Sequence, residues 1–461
     1  MKLEQEVNKY NISELEKIIN IKDIRNISEN EEFDYLRIIS MKHKGIEDKS
    51  KNILFFPITL DQKLIDDGWI DVTTDLKTPI NEIISKFPEY TFIVEEDMII
   101  EDQKAKLVIV DDIMKSIDIL YDHVLNNHKY EVVAVTGSAG KTTSIGVIEE
   151  VLKSKYNVLR IYSDRITPIV LKANIINFLN QKTDVVTLEM GIFFKDHVKA
   201  LSDLIKPTIS AMLNIGSAHL GEPGLNKIDD ICINKAMIFR NPRMGFINKD
   251  NSYLKDLKLK ENKLYYKEDL LFETNLKELK EIYPSRANVI NNCLCINNNQ
   301  IKVPILTELT ALQYQLAYDI GIYLNIEETD IIKSLNEFEV VENRLQRINI
   351  FGKEVIFDGD SSFKERIHQL SNHLYDKAYF VIRKYGADYY IDDFKGITEY
   401  FDKFEKVYLF DDINYLEDLK NHSKVEIVNN HDFMKNLDGE IFYHYCDYFY
   451  KYADFDLENL K

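Results

Sequence analysis

Short apolar runs, separated by polar or charged stretches, recur along this chain, and their spacing predicts alternating strands and helices. Residues 1–45 read as charged helix with few landmarks. Residues 53–56, 91–94 and 107–110 read as strands, and Asp111-Asp112 opens a helix over 113–125, since acidic side chains favour a helix N-terminus. The polar Asn126-Asn127-His128-Lys129 closes this small α/β unit, in which no catalytic constellation stands out. Strands are then predicted at 132–135, 157–162, 184–188, 208–213 and 245–248, with helices at 143–152, 170–179 and 197–204. Such alternation means βαβ units and a mostly parallel sheet. Further strands near 354–357, 378–382, 407–410 and 425–428, with helices between, extend the same pattern. The fold class expected is α/β.

The first strand of the central series runs into Thr136-Gly137-Ser138-Ala139-Gly140-Lys141-Thr142-Thr143. A buried strand, a glycine-bearing turn and a helix N-terminus make a phosphate cradle. The glycines let backbone N–H groups approach the anion, and the helix start adds partial positive charge. Lys141 would reach the β- and γ-phosphates, and the Thr142 hydroxyl would ligate Mg²⁺. The strict P-loop pattern has about four residues between its glycines; here there are two.

In an open parallel sheet, ligands sit beyond the carboxyl ends of the strands. That rule selects Glu189, which ends one strand, and Asn214 and His219, which follow another. A lone glutamate after a strand is ordinarily solvated, and a lone histidine is ordinarily packed. Here both leave the sheet on the edge that carries the glycine turn, where a carboxylate and an imidazole can hold Mg²⁺ against a phosphate. Lys235 falls on a predicted amphipathic helix, where an exposed lysine is the ordinary case.

Composition narrows the partners. The chain has 461 residues, enough for two or three domains, with 29% charged and 45% hydrophobic residues, as in a folded globular protein. Its net charge of −19 repels nucleic acid and anionic membranes. No run of about 18 apolar residues occurs, and the start, Met1 to Glu6, lacks the apolar core of a signal peptide. Cys232, Cys293, Cys295 and Cys446 fit neither a disulfide framework nor a zinc spacing, and Cys293-x-Cys295 reads as a pair of strand residues. The expected compartment is the cytoplasm.

Thr136 to Thr143, Leu188-Glu189-Met190-Gly191, Lys206-Pro207-Thr208, Asn214-Ile215-Gly216-x-Ala218-His219-Leu220, Lys235 with Ile238-Phe239, and Asn248-x-Asp250 follow one another in order. This series resembles the Mur ligases, ATP-dependent amide-forming enzymes of peptidoglycan synthesis, and most of all their D-Ala-D-Ala-adding branch. A weaker similarity runs upstream through 92–94 and 108–112, and downstream through Asn343-Arg344-Leu345 and Asp358-Gly359-Asp360-Ser361. The resemblance implies three domains: 1–128 for the acid substrate, 129–343 as a P-loop ATPase, and 344–461 as a Rossmann-like unit for the amine. It implies ATP and Mg²⁺. Gly137, Ser138, Ala139, Gly140, Lys141, Thr142 and Thr143 would hold the phosphates, and Asn214 would lie in the nucleotide site. Thr142, Glu189 and His219 would ligate Mg²⁺, and Lys235, which matches a lysine that several members carbamylate, would add a further metal-organising carboxylate. Arg344 would contact the nucleotide, and Asp358 or Asp360 the ribose. Lys141, His219 and Lys235 would thus be the catalytic set.

The chemistry suits these residue types. An amine cannot displace a carboxylate oxygen directly, whereas an acyl phosphate made by γ-phosphoryl transfer can be attacked. That transfer needs positioning and charge neutralisation. The sequence departs from the family at both substrate ends. The Ser-Arg and Asp-Gly-His elements of the N-terminal part are missing, and Thr307-x-x-Thr310 stands where His-Asn-x-x-Asn is usual. Ile382-Arg383-Lys384-Tyr385-Gly386 replaces Gly-Asp-Met-x-Glu-Leu-Gly, and Tyr443-His444-Tyr445-Cys446-Asp447, which reads as strand packing, replaces Lys-Gly-Ser-Arg. The partners expected are a small carboxylic acid or nucleotide-linked peptide precursor, and an amino acid or dipeptide. Two alternatives stand beside the ligase: a P-loop kinase with no amine substrate, and a non-catalytic nucleotide-binding subunit.

Overall fold

A computed structural model describes residues 5–38, 52–58, 79–161, 166–217, 219–340, 344–350, 352–358, 363–372, 377–385, 396–410, 419 and 421–446. Within them three sheets of five or six strands follow one another along the chain.

Residues 5–38, the described part of the first 45, are not the charged helix expected. Helix α1 spans only Ile12–Ile18, closed by a capping box between Asn11 and Glu14. The chain then enters strands β1 (Ile21–Arg25) and β2 (Tyr35–Arg37). They join β3 (Ile53–Phe55), β4 (Thr91–Glu95) and β5 (Lys106–Val110) in the order β1-β5-β4-β3-β2, parallel except for β1. Helix α2 (Ile80–Lys86) precedes β4, and α3 (Ile113–Asn126) follows β5. Asp112 caps α3 by accepting from the Lys115 amide at 2.8 Å.

The central sheet is parallel throughout. Its strands are β6 (Glu131–Thr136), β7 (Val158–Ile161), β8 (Val185–Glu189), β9 (Ile209–Met212), β10 (Met244–Asn248) and β11 (Glu278–Ile282). Their order is β11-β10-β9-β6-β8-β7, so successive additions run to one side of β6 and then to the other. A crevice at such a reversal is where parallel sheets bind ligands. Helices α4 (Lys141–Lys153), α5 (Pro168–Phe178), α6 (His197–Ile205) and α7 (Ile228–Ala236) alternate with these strands, and α8 (Glu308–Tyr323) and α9 (Glu328–Glu337) follow.

Alternation along β6 builds two cores. Val133 and Val135 pack with Ile145, Ile148, Leu316 and Ile331, while Val132 and Ala134 pack with Leu171, Leu201 and Ile231. The second core runs on into the N-terminal sheet through Ile12, Leu36 and Val108. Tyr10 donates its hydroxyl hydrogen to the Ile176 carbonyl at 2.6 Å across that junction.

Two small antiparallel sheets of three strands each, at 257–273 and 288–301, decorate the central unit. Cys293 and Cys295 lie on the middle strand of the second, as the sequence suggests. No helix among the described residues is long and apolar enough to cross a membrane.

The last sheet comprises β12 (Gln346–Ile350), β13 (Lys353–Asp358), β14 (Ala378–Tyr385), β15 (Lys406–Phe410), β16 (Val425–Val428) and β17 (Glu440–Cys446). Helix α10 (Phe363–Ser371) links β13 to β14. The order is β12-β13-β17-β14-β15-β16, with only β12 antiparallel to its neighbour. Tyr443 is fully buried, against Phe357 and Val381, so that part of the aromatic run 443–447 is strand packing.

Candidate active site

At the carboxyl end of β6 the chain turns through Gly137 to Gly140 and enters α4. Gly140 is the N-cap of α4 with φ 83°. A Cβ there would come within 2.9 Å of both Gln313 Nε2 and Leu309 Cδ2. Glycine is thus required for the backbone conformation as well as the space. The turn is pinned from the next strand: Asn214 Oδ1 accepts from the Ser138 and Ala139 amides, both at 2.9 Å, and its Nδ2 donates to the Ala139 carbonyl at 3.1 Å. Ser138 Oγ in turn accepts from the Gly216 amide at 2.8 Å. With those two loop amides turned inward, the helix start carries the anion-binding potential, because first-turn amides have no carbonyl one turn earlier.

Four predicted side chains converge here. Lys141 Nζ and Lys235 Nζ each donate to the Gly137 carbonyl at 3.0 Å. Lys235 reaches it from α7 and is 0% exposed. Burial, and then the neighbouring Lys141 charge, push its pKa well below the usual lysine range, which favours the uncharged amine. On the other flank the Thr142 hydroxyl lies 3.0 and 3.1 Å from the two Glu189 oxygens. Thr143 is half-buried in the first turn of α4.

His219 lies beyond β9 with φ 69°, its ring edge-on to Phe193 at 5.3 Å. A left-handed conformation at a non-glycine residue costs about 1–3 kcal/mol and persists where surroundings impose it, often at sites. Among the described residues no three or more His, Cys, Asp or Glu side chains form a metal cluster. A hard cation held by Thr142, Glu189 and phosphate oxygens needs none, because Mg²⁺ keeps few protein ligands.

The downstream candidates gather elsewhere. Asp358 ends β13 at 2% exposure, 2.8 Å from Arg366 Nη2 and 3.4 Å from His444 Nδ1. Burial opposes its ionisation, yet Arg366, His444 and Arg344 together hold its carboxyl well below the usual range. Arg344 thus acts on Asp358, and Asp360 lies outside the described residues. Thr307 and Thr310 satisfy each other: Thr307 Oγ1 caps α8 by accepting from the Thr310 amide at 3.0 Å, and the hydroxyls are 2.9 Å apart. Sequence reasoning missed Gln313, a buried amide on α8 that donates to the Gly140 carbonyl at 3.1 Å. Thr310, Gln315 and Asp319 are polar on the same helix, so nothing in the sequence singled it out.

Residues 135–311, from the glycine turn through Lys235 to the first turn of α8, match the Mur ligase middle domain. This part of the chain is a Mur ligase middle domain. The UDP-N-acetylmuramoyl-tripeptide--D-alanyl-D-alanine ligase of Bacillus subtilis (strain 168) is 26% identical over 245 residues, 52% of either chain. The chain therefore spans about half the length of the curated relatives it matches. The fold likeness is more extensive. The crystal structure of MurF from Acinetobacter baumannii superposes with a TM-score of 0.68 at 14% identity, covering 99% of this chain and 98% of that one. MurF ligase from Thermotoga maritima in complex with ADP gives 0.58 at 16% identity, covering 86% and 91%. The three-sheet α/β architecture is that of these Mur ligases.

Proposed function

We propose that this chain is an ATP-dependent ligase that activates a carboxylic acid as an acyl phosphate and joins it to an amine, releasing ADP and phosphate. The observation that carries this reading is the meeting of Lys141 and Lys235 on the Gly137 carbonyl, beside the Thr142–Glu189 pair, within a Mur ligase middle domain. Lys141 would neutralise the transferring phosphoryl group, and the glycine turn would orient it for in-line attack by the acid. Thr142 and Glu189 would hold Mg²⁺, with His219 beside them; the ion would offset charge on the phosphate oxygens. A kinase with no amine substrate and a non-catalytic subunit find no support in the comparisons.

The assignment of residues 1–128 to the acid, 129–343 to ATP and 344–461 to the amine follows sheet membership in this proposal. The acid is a small carboxylic acid or a nucleotide-linked peptide, and the amine an amino acid or dipeptide. ATP as a substrate places the reaction in the cytoplasm. UDP-N-acetylmuramoyl-tripeptide with D-alanyl-D-alanine is the first pair to assay, followed by a panel of acids and amines. Phosphate release that requires both partners supports the ligase; release that needs the acid but ignores every amine supports the kinase.

Two predictions arise at the metal side. Glu189→Gln and His219→Ala should each raise the Mg²⁺ concentration needed for half-maximal activity, because each removes a ligand from a site with few. Mg²⁺ titrations that overlay the wild type would remove those residues from the metal site.

Lys235 is assigned as a carbamate in the working enzyme. In its unprotonated form, which burial and the Lys141 charge favour, Nζ adds to CO₂, an N–C bond forms, and the proton leaves to solvent, converting a buried amine into an anion beside Lys141. Lys235→Ala should lose activity and regain part of it with added formate or acetate. The intact protein should gain the mass of CO₂ in bicarbonate. No rescue and no added mass would leave Lys235 as a neutral hydrogen-bond donor to Gly137.

A further inference from the structure

Two loops carry the metal side of the site, and neither belongs to the sheet. The chain leaves β8 at Glu189 and runs through Gly191 to Asp196, where α6 begins. It leaves β9 at Met212 and passes His219 and Leu225 before α7 begins. A loop has no ladder to fix it, so its placement depends on the groups that take up its amides and carry its side chains. Asp196 stands in the left-handed region with φ 67°, uncommon for a residue with a side chain. Its amide donates to Asn234 Oδ1 at 2.7 Å. Asn234 is buried on α7, directly before Lys235. Its Nδ2 donates to the Asp230 carbonyl at 2.8 Å, one turn back, so both ends of the side-chain amide are engaged.

From that anchor the two loops meet. The Lys195 amide donates to the Pro223 carbonyl at 3.1 Å. A Cβ at Gly224, which has φ 75°, would come within 2.7 Å of Lys195 Cβ, so the loops lie as close as a glycine allows. Phe193 carries the contact into the site. Its ring lies edge to face with that of His219 at 5.3 Å. It also lies 5.4 Å from the ring of His197, which is fully buried in the first turn of α6.

We propose that Asn234 is a positioning residue for the metal side of the site. Its carbonyl oxygen seats the loop after β8 on α7, and that loop sets the direction of the His219 ring through Phe193. This rests on the ligase reading for the metal, and adds a residue that the proposed chemistry does not use. Asn234 acts through geometry, because one amide couples the exits of Glu189 and His219 to the helix that carries Lys235. Metal ligands keep their orientation through such outer contacts, and losing one typically costs about ten- to a hundredfold in metal affinity or activity. A packing role alone would be met by any side chain of similar volume, whereas this one requires an acceptor facing the Asp196 amide.

Full-length protein labelled with ¹³C-histidine gives a readout that needs neither ATP nor an acid. The His219 ring resonance is assigned by its loss in His219→Gln, and Phe193→Leu gives its position without the neighbouring ring. Asn234→Ala should move the His219 resonance toward that position while leaving His431, in the last sheet, unmoved. Asn234→Leu fills the same volume without an acceptor and should do the same; it carries the test if Asn234→Ala does not fold. Asn234→Asp keeps the acceptor and should keep the wild-type resonance. In a second arm, Mn²⁺ replaces Mg²⁺ and its binding is followed by electron paramagnetic resonance with a non-hydrolysable ATP analogue. Mn²⁺ affinity should fall about tenfold or more in Asn234→Ala and Asn234→Leu. A His219 resonance unmoved in both, or moved equally in Asn234→Asp, would overturn the assignment. Wild-type protein that binds no Mn²⁺ with the nucleotide, while the resonances move as expected, would count against the ligase reading and leave the positioning of His219 standing.

Discussion

Lys141→Ala lowers ATP-dependent turnover by about a hundred- to a thousandfold while leaving the fold intact. That is the usual loss, about 3–4 kcal/mol, when a preorganised donor to developing transition-state charge is removed. The ammonium sits at the start of α4, 3.0 Å from the Gly137 carbonyl and beside Lys235. Lys235 cannot substitute for it. Its Nζ is buried, and as the assigned carbamate it carries a negative charge, so it supplies none of the positive charge the reaction needs. The check is steady-state phosphate release beside a thermal melt. Near wild-type turnover would remove the glycine turn from the phosphate site.

Asp358→Asn costs the protein about 3–5 kcal/mol of stability at pH 7, the usual cost of removing one partner from a buried pair. The substitution leaves the Arg366 guanidinium facing a neutral amide at 2% exposure. The sign with pH follows from the depressed carboxyl. The unfolded chain holds its proton near the ordinary aspartate value of about 3.9, and the folded chain releases it at lower pH. The contribution is therefore complete above about pH 4 and is lost as pH falls toward the folded value. Wild type and Asp358→Asn should differ most at neutral pH in urea titrations and converge in acid. A constant difference down to the acid limit would mean that the carboxylate charge is not what the buried pair stabilises.

The central unit was largely legible because its chemistry and its hydrophobicity coincide. Strands covered on both faces read as continuous apolar runs, so β6, β8, β9 and β10 stand within a residue or two of their predicted places. The glycine turn announced itself by composition, and Glu189 and Asn214 by leaving strands on the same edge.

The start of the chain was misread for a physical reason. Strand β1 is an edge strand whose Lys22, Asp23 and Arg25 face solvent, a pattern that mimics the polar face of a helix. The small antiparallel sheets were missed although their turns were visible. Asn291-Asn292 and Asn297-Asn298 all take positive φ, the paired left-handed residues of a two-residue hairpin. The ion pairs of Asp358 with Arg366 and with His444, the latter far along the chain, had no signal in the sequence.

In the proposed reaction the phosphoryl group passes through the acid. An acid substrate carrying ¹⁸O in its carboxylate is turned over with ATP and the amine, and the released phosphate is analysed by mass. In an acyl phosphate the carboxylate oxygen bridges carbon and phosphorus, and attack by the amine leaves that oxygen on phosphorus. With both carboxylate oxygens labelled, one ¹⁸O atom is expected in each phosphate formed with the amide. Amide formation with unlabelled phosphate, or a phosphorylated acid that accumulates whether or not the amine is present, would contradict it.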